Sequence, residues 1–117
     1  MKEIKFRAWG KNSKEYLSHK GEKEFTITEL GTLPDLSVWK LEQYTGLKDK
    51  NGTEIYEGDI LDVILHNGEH ENYLIQWDER EAGFEAYNRD RSNYILSYIW
   101  DECEVIGNIF ENPELMT

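Results

Sequence analysis

Apolar and polar residues alternate from Lys2 to Trp9, with Ile4, Phe6 and Ala8 on one side and Lys5, Arg7 and Trp9 on the other. A period of two residues is that of a strand with one face covered. Gly10 to Lys14 is rich in turn formers, and Glu15 to Ser18, with Tyr16 and Leu17, returns as the partner strand. Lys20 to Lys23 reads as an exposed turn, and Phe25 to Thr28 as a short alternating strand whose threonines suit a pleated surface. Pro34 removes a backbone donor and restricts Leu33 to extended conformations. Gly31 to Leu41 therefore reads as a loop that carries Leu36, Val38 and Trp39 towards the core. Trp39 has a second reading as an exposed anchor for a partner, because tryptophan is enriched at the energetic centres of interfaces.

The stretch Leu41 to Leu65 organises the rest. Lys50-Asn51-Gly52 supplies residues that tolerate positive φ, as tight connections between antiparallel strands require, and Asp49 is placed to bind backbone amides further on. Tyr44 and Leu47 precede this turn and Ile55 and Tyr56 follow it, which predicts a hairpin. Gly58-Asp59 then starts a run from Ile60 to Leu65 whose only polar interruption is Asp62, the pattern of a strand buried on both sides or at a barrel corner. In small SH3-like barrels a Gly-Asp pair often opens such a strand: glycine allows the bend and the carboxylate ties back the turn amides.

Asn67-Gly68, within His66 to Glu69, closes a further hairpin. Tyr73 to Trp77 and Phe84 to Tyr87 pair around the charged turn Asp78 to Gly83, and Asn88 to Asn93 is polar loop. Tyr94 to Trp100 is compatible with a strand or with two helical turns after a Ser92 or Asn93 cap. Cys103 to Phe110 is the last strand, with Gly107 marking a bulge or a close backbone contact. Asn112-Pro113 fits a cap followed by proline at the first helical position, so one terminal turn is expected. The pattern as a whole predicts an all-β or β-rich single domain of six to eight short strands with one or two helical turns, a small SH3-like or related β-barrel.

Three blocks of residues, LysPheArgAlaTrp at Lys5 to Trp9, the stretch Leu41 to Ile60, and ValIleGlyAsnIlePheGluAsnProGluLeu at Val105 to Leu115, resemble the YopX-like family of small phage and prophage proteins. One departure is Gly10, where the family often carries Asp after the AlaTrp pair. The resemblance implies a β-barrel of phage or prophage origin and assigns no chemistry.

Charge changes the picture more than any motif. The 117 residues carry 13 basic and 24 acidic side chains, a net charge of −11. Met1 to Lys23 is nonetheless basic, seven against three, so the acidic excess lies downstream. An acidic body repels phosphate backbones, whose binding depends on cations displacing counterions. Direct nucleic acid binding is accordingly disfavoured. The single cysteine, Cys103, forms no intrachain disulfide; flanked by Glu102 and Glu104 it is expected to be structural, since neighbouring negative charge makes a thiol less ready to ionise. No apolar run approaches the roughly 20 residues of a membrane span and no apolar signal core is present, so a cytoplasmic protein without membrane contact is expected. Fifteen aromatic side chains are a heavy load for this length, and some are expected at a contact surface.

The residues that resemble reaction chemistry are few. His66, Glu69, His70 and Glu71 form the only local group with metal-ligand character, and a third histidine, His19, is distant; a solvated hairpin tip is the better reading, with no metal and no cofactor expected. Asp49 to Gly52 lacks the glycine and glutamate positions of a calcium loop. Glu57, Asp59 and Asp62 are the carboxylates placed to act at the mouth of a barrel. No nucleophile triad, phosphate loop, dinucleotide fingerprint or HExxH is present.

The expected function is thus a non-catalytic protein-protein interaction or assembly module, with Lys5, Arg7, Trp39, Asp59 and Asp62 as candidate binding residues. Its partner would be a basic host protein or further copies of the chain joined through the basic N-terminal hairpin. The alternative is a small ligand-binding barrel or hydrolase using Asp59 and Asp62.

Overall fold

Among residues 5–18, 38–65, 67–88, 94–95 and 102–117, which the computed structural model describes, the chain forms nine strands and a C-terminal 3-10 turn. By its internal contacts it divides into two compact units, Met1–Tyr44 and Thr45–Thr117. All strand pairs with a defined register are antiparallel, and the described strands lie in two sheets, as expected of an all-β chain.

In the first unit, β1 (Phe6–Gly10) is central between β2 (Tyr16–Ser18) and the start of β3 (Trp39–Lys48). Trp9 faces Tyr16 on one side, and Gly10 faces Trp39 on the other. Alternation predicts one covered face, yet Ala8 and Trp9 are both buried. The reason lies in the partners: the Trp9 ring packs on Tyr16 with centroids 4.9 Å apart, so the face carrying the cations is covered as well. The Glu42 carboxylate, itself buried, accepts from Arg7 Nε at 2.9 Å and from the Tyr16 hydroxyl at 2.8 Å. A buried carboxylate needs such donors, because without them its desolvation costs several kcal/mol. β3 begins at Trp39, where the sequence reading has loop to Leu41. Pairing of Trp39, Lys40 and Leu41 with Gly10, Trp9 and Ala8 draws these residues into the sheet.

In the second unit β3 continues beside β4 (Glu54–Tyr56), the expected hairpin around Asn51-Gly52. β5 (Asp59–Ile64), β6 (His70–Asp78), β7 (Gly83–Tyr87), β8 (Tyr94–Ile95) and β9 (Cys103–Asn108) form a sheet in the order β8-β7-β6-β5-β9. Leu61 pairs with Tyr73 and Val105, Val63 with Cys103, and Ile75 with Ala86, so one face of the sheet is a continuous apolar surface. Leu61, Val63, Tyr73, Ile75, Ala86 and Cys103 form the core cluster with Ile55 from β4, and Leu47, Leu65, Phe84 and Val105 pack around it. Cys103 is fully buried among these side chains, a structural position.

The turns follow their residues. Asp49 is buried, and its Oδ1 accepts from the amides of Asn51 and Thr53, both at 2.9 Å, while Oδ2 accepts from the amide of Val105 at 2.9 Å. Gly52 takes φ of +83° at the turn's tip. Gly58 takes φ of +88° and Asp59 Oδ2 accepts from the Tyr56 amide at 2.7 Å, as the Gly-Asp motif predicts. At Gly107 the β5–β9 register slips, and a Cβ there would collide with the Asn112 side chain. Asn112 precedes the terminal turn, Pro113–Met116, but makes no capping bond; its Oδ1 instead accepts from the Asn108 amide at 3.3 Å. At Tyr94-Ile95 the open choice between strand and helix resolves to strand; the remaining residues to Trp100 lie outside the described residues, as do the expected strand at Phe25 to Thr28, the turn at Lys20 to Lys23 and the loop positions Leu33, Pro34 and Leu36. Nine strands stand where six to eight were expected.

The Asp49 bonds generate a test. Asp49→Ala leaves three amides without their acceptor, and charge-assisted bonds of this kind contribute roughly 1.5–3 kcal/mol each before solvent compensation. The variant is expected to lose about 3 kcal/mol in urea unfolding, whereas Gly52→Ala, which meets open space and suffers only its positive φ, loses about 1 kcal/mol.

Candidate functional site

β6 outruns β7. The last pair between them is Leu74 with Tyr87, so β6 extends from His70 to Tyr73 past the point where β7 ends. Asn88, the first residue after β7, bends back across the gap: its Nδ2 donates to the Asn72 carbonyl at 2.8 Å and to Glu71 Oε2 at 3.0 Å. A side-chain amide thus occupies the place of the next strand's N–H. From the other side the terminal 3-10 turn approaches β6, and the Leu115 carbonyl accepts from Asn72 Nδ2 at 2.9 Å. Between these elements lies a cleft of about 410 Å³ lined by His70, Glu71, Asn72, Asn88, Leu115, Met116 and Thr117.

Three consecutive strand residues cannot share one face of a sheet, because side chains alternate. A cleft that touches His70, Glu71 and Asn72 together therefore opens on the edge of β6. Residue parity agrees: Glu71 and Tyr73 sit opposite Val63 and Leu61, with the odd residues turned to β5, whereas the Asn72 carbonyl points to Asn88 on the side β7 has vacated. One wall carries a second polar pair. His70 Nδ1 lies 2.8 Å from Asp62 Oδ2 and 3.1 Å from Oδ1, with the His70 side chain 58% exposed and that of Asp62 22% exposed. This holds the imidazole by one nitrogen and leaves Nε2 on the outer side of the ring, an arrangement suited to accepting or donating one hydrogen bond.

The candidate residues named from sequence separate into different places. Asp59 is buried in its turn and serves the Tyr56 amide. Asp62 pairs with His70 beside the cleft instead of with turn amides. Lys5 is 6% exposed, its ammonium 4.7 Å from the centre of the Tyr44 ring, and Arg7 binds Glu42 with its guanidinium 4.5 Å from the Tyr16 ring. Both cations thus have partners within their own unit. Trp39 is half-buried, its ring over Gly10. His70 and Glu71 of the metal-like group line the cleft while Glu69 is exposed; His66 and His19 lie outside the described residues, and among those described no three His, Cys, Asp or Glu side chains converge. Asn72 and Asn88 were missed by sequence reasoning, since isolated asparagines carry no signal. The hint available was that Asn88 follows the end of a strand shorter than its partner.

The comparisons extend this description. The YopX protein family matches residues 5–117. The chain belongs to the YopX family. The three blocks read from sequence fall on β1, on β3 to β5, and on β9 with the terminal turn, so the YopX pattern covers the elements that carry the turns, the core strand and one side of the cleft. The YopX chain is also similar to protein EF1440 from Enterococcus faecalis, whose crystal structure aligns with a TM-score of 0.67 at 27% identity, covering 100% of each chain. No curated protein matches. Among the described residues no helix is long and apolar enough to cross a membrane.

The polar pair beside the cleft is half solvated, and exposed ion pairs couple weakly. A double-mutant cycle with Asp62→Ala and His70→Ala is expected to give a coupling below about 1 kcal/mol in urea unfolding. Asn88→Ala releases the Asn72 carbonyl and is expected to speed amide exchange along His70–Tyr73 more than at Leu61 or Ile75, read by hydrogen–deuterium exchange.

Proposed function

We propose that this YopX protein is a non-catalytic binding module whose second unit docks a basic partner protein. The observation that carries the reading is where the charge sits. Met1–Tyr44 has eight basic and seven acidic side chains, whereas Thr45–Thr117 has five basic and seventeen acidic, a net charge of −12 on the unit that also holds the cleft. A surface of one sign steers and selects an oppositely charged partner more than it adds raw affinity. The described carboxylates Asp49, Asp59 and Asp62 are engaged with backbone amides or His70, which supports a structural and electrostatic use over acid-base chemistry. An exposed aromatic pair, Trp77 edge-on to Phe84 with centroids 5.1 Å apart, supplies the contact-surface aromatics expected from composition. The setting proposed is the cytoplasm of a host cell during a phage or prophage programme, without nucleic acid or membrane contact.

A pull-down with the tagged protein from lysate of its natural host, at low and moderate salt, tests this. One stoichiometric basic protein that dissociates as salt rises is the expected result. Recovery of the chain alone, as a defined oligomer by mass, would replace the reading with self-assembly. Reversal of Lys5 and Arg7 to glutamate is a poor probe of either outcome, because Arg7 neutralises buried Glu42 and the change disrupts the first sheet before it reports on assembly.

A second reading, a small-ligand site, draws on the His70–Asp62 pair beside the cleft. An ordered small molecule at His70 in a co-crystal would favour it, and loss of that molecule in His70→Ala would place the contact.

A further inference from the structure

We infer that the edge of β6 at His70–Asn72 receives an extended, basic peptide segment of the partner, which adds as a short strand in the place β7 leaves empty. This rests on the binding reading above and names its site.

Two observations carry it. The first is the edge. The backbone of His70 and Asn72 faces the vacated side, and the protein satisfies the Asn72 carbonyl there with a side-chain amide, Asn88 Nδ2, in place of a strand. Unpaired strand edges are templates for a further strand, with main-chain bonds providing affinity and flanking side chains providing selection. The cleft of about 410 Å³ provides room along that edge. The second is charge. Glu71 lines the cleft with its carboxylate anchored by Asn88 and Asp62 lies behind His70, within a unit of net charge −12. The Leu115 carbonyl adds an acceptor on the opposite wall. An acceptor-rich slot of this kind suits lysine or arginine side chains, whose ammonium or guanidinium groups are donors only. In an added strand alternate side chains point to the same face, so a segment with lysine or arginine at every second position places cations beside Glu71 while its backbone meets His70 and Asn72.

The test uses the full chain and a fluorescein-labelled eight-residue peptide of alternating lysine and threonine, followed by anisotropy, with amide exchange of the protein measured in parallel. Binding is expected to weaken about tenfold in Glu71→Gln, as when one partner of a desolvated charge pair is removed, and to be unchanged in Glu79→Gln, which deletes the same charge from the exposed β6–β7 turn. The amides of His70 and Asn72 should gain protection, and a peptide N-methylated at alternate residues should fail to bind. Equal losses in Glu71→Gln and Glu79→Gln would reduce the effect to diffuse attraction and overturn the site, and so would undiminished binding of the N-methylated peptide. Capture of a basic host protein that survives Glu71→Gln would retain the binding reading while discarding this site; absence of any basic partner would remove the reading itself.

Discussion

The second unit is held together at the Asp49 carboxylate. Its two oxygens take amides from the turn it begins, Asn51 and Thr53, and from Val105 in β9, more than fifty residues away. β9 is the edge strand of its sheet, and on the side away from β5 the Val105 amide meets Asp49 while the Cys103 carbonyl accepts from Lys50 at 3.2 Å. One side chain thereby shapes the β3–β4 turn and covers an edge that would otherwise be open to pairing. A buried carboxylate is tolerable because those amides replace its water. The nearby Gly58-Asp59 turn repeats the device on a smaller scale, and β5 starts from it.

The two ends of the same sheet are therefore treated differently. At β9 the edge is met by the backbone and carboxylate of a neighbouring turn. At the start of β6 it is met by Asn88 alone at one carbonyl, with a polar cleft beside it and the terminal turn docked through Leu115 and Asn72. Strand addition at such an edge would let a small β-protein recognise a partner through backbone bonds, which are indifferent to sequence, and through charge, which is not. That combination accords with a chain whose acidic excess lies wholly in one unit.

Legibility of the structure varied with the range of the interaction. The three glycine turns at Gly52, Gly58 and Gly68 each adopt positive φ where the sequence places a turn, and the Asp49 and Asp59 carboxylates bind amides a few residues away, because such bonds depend only on local spacing. The bulge at Gly107 was equally readable. Trp39 was not, since its place in β3 follows from pairing with Gly10. Arg7 was legible as a strand residue but not as the partner of Glu42, which is thirty-five positions away.

The sequence alone thus determined the all-β class, the main hairpins, the apolar run of β5, the charge of −11 and membership of the YopX pattern, all of which depend on periodicity, turn chemistry and composition. Tertiary structure decided the rest. Asp62 met His70 only once β5 and β6 were in register, the cleft arose only because β7 stopped at Tyr87 while β6 began at His70, and Asn88 became a strand's substitute only where that gap lay. Strand lengths and registers are set by the packing of whole faces, and no single stretch of residues encodes where one strand will outlast its neighbour.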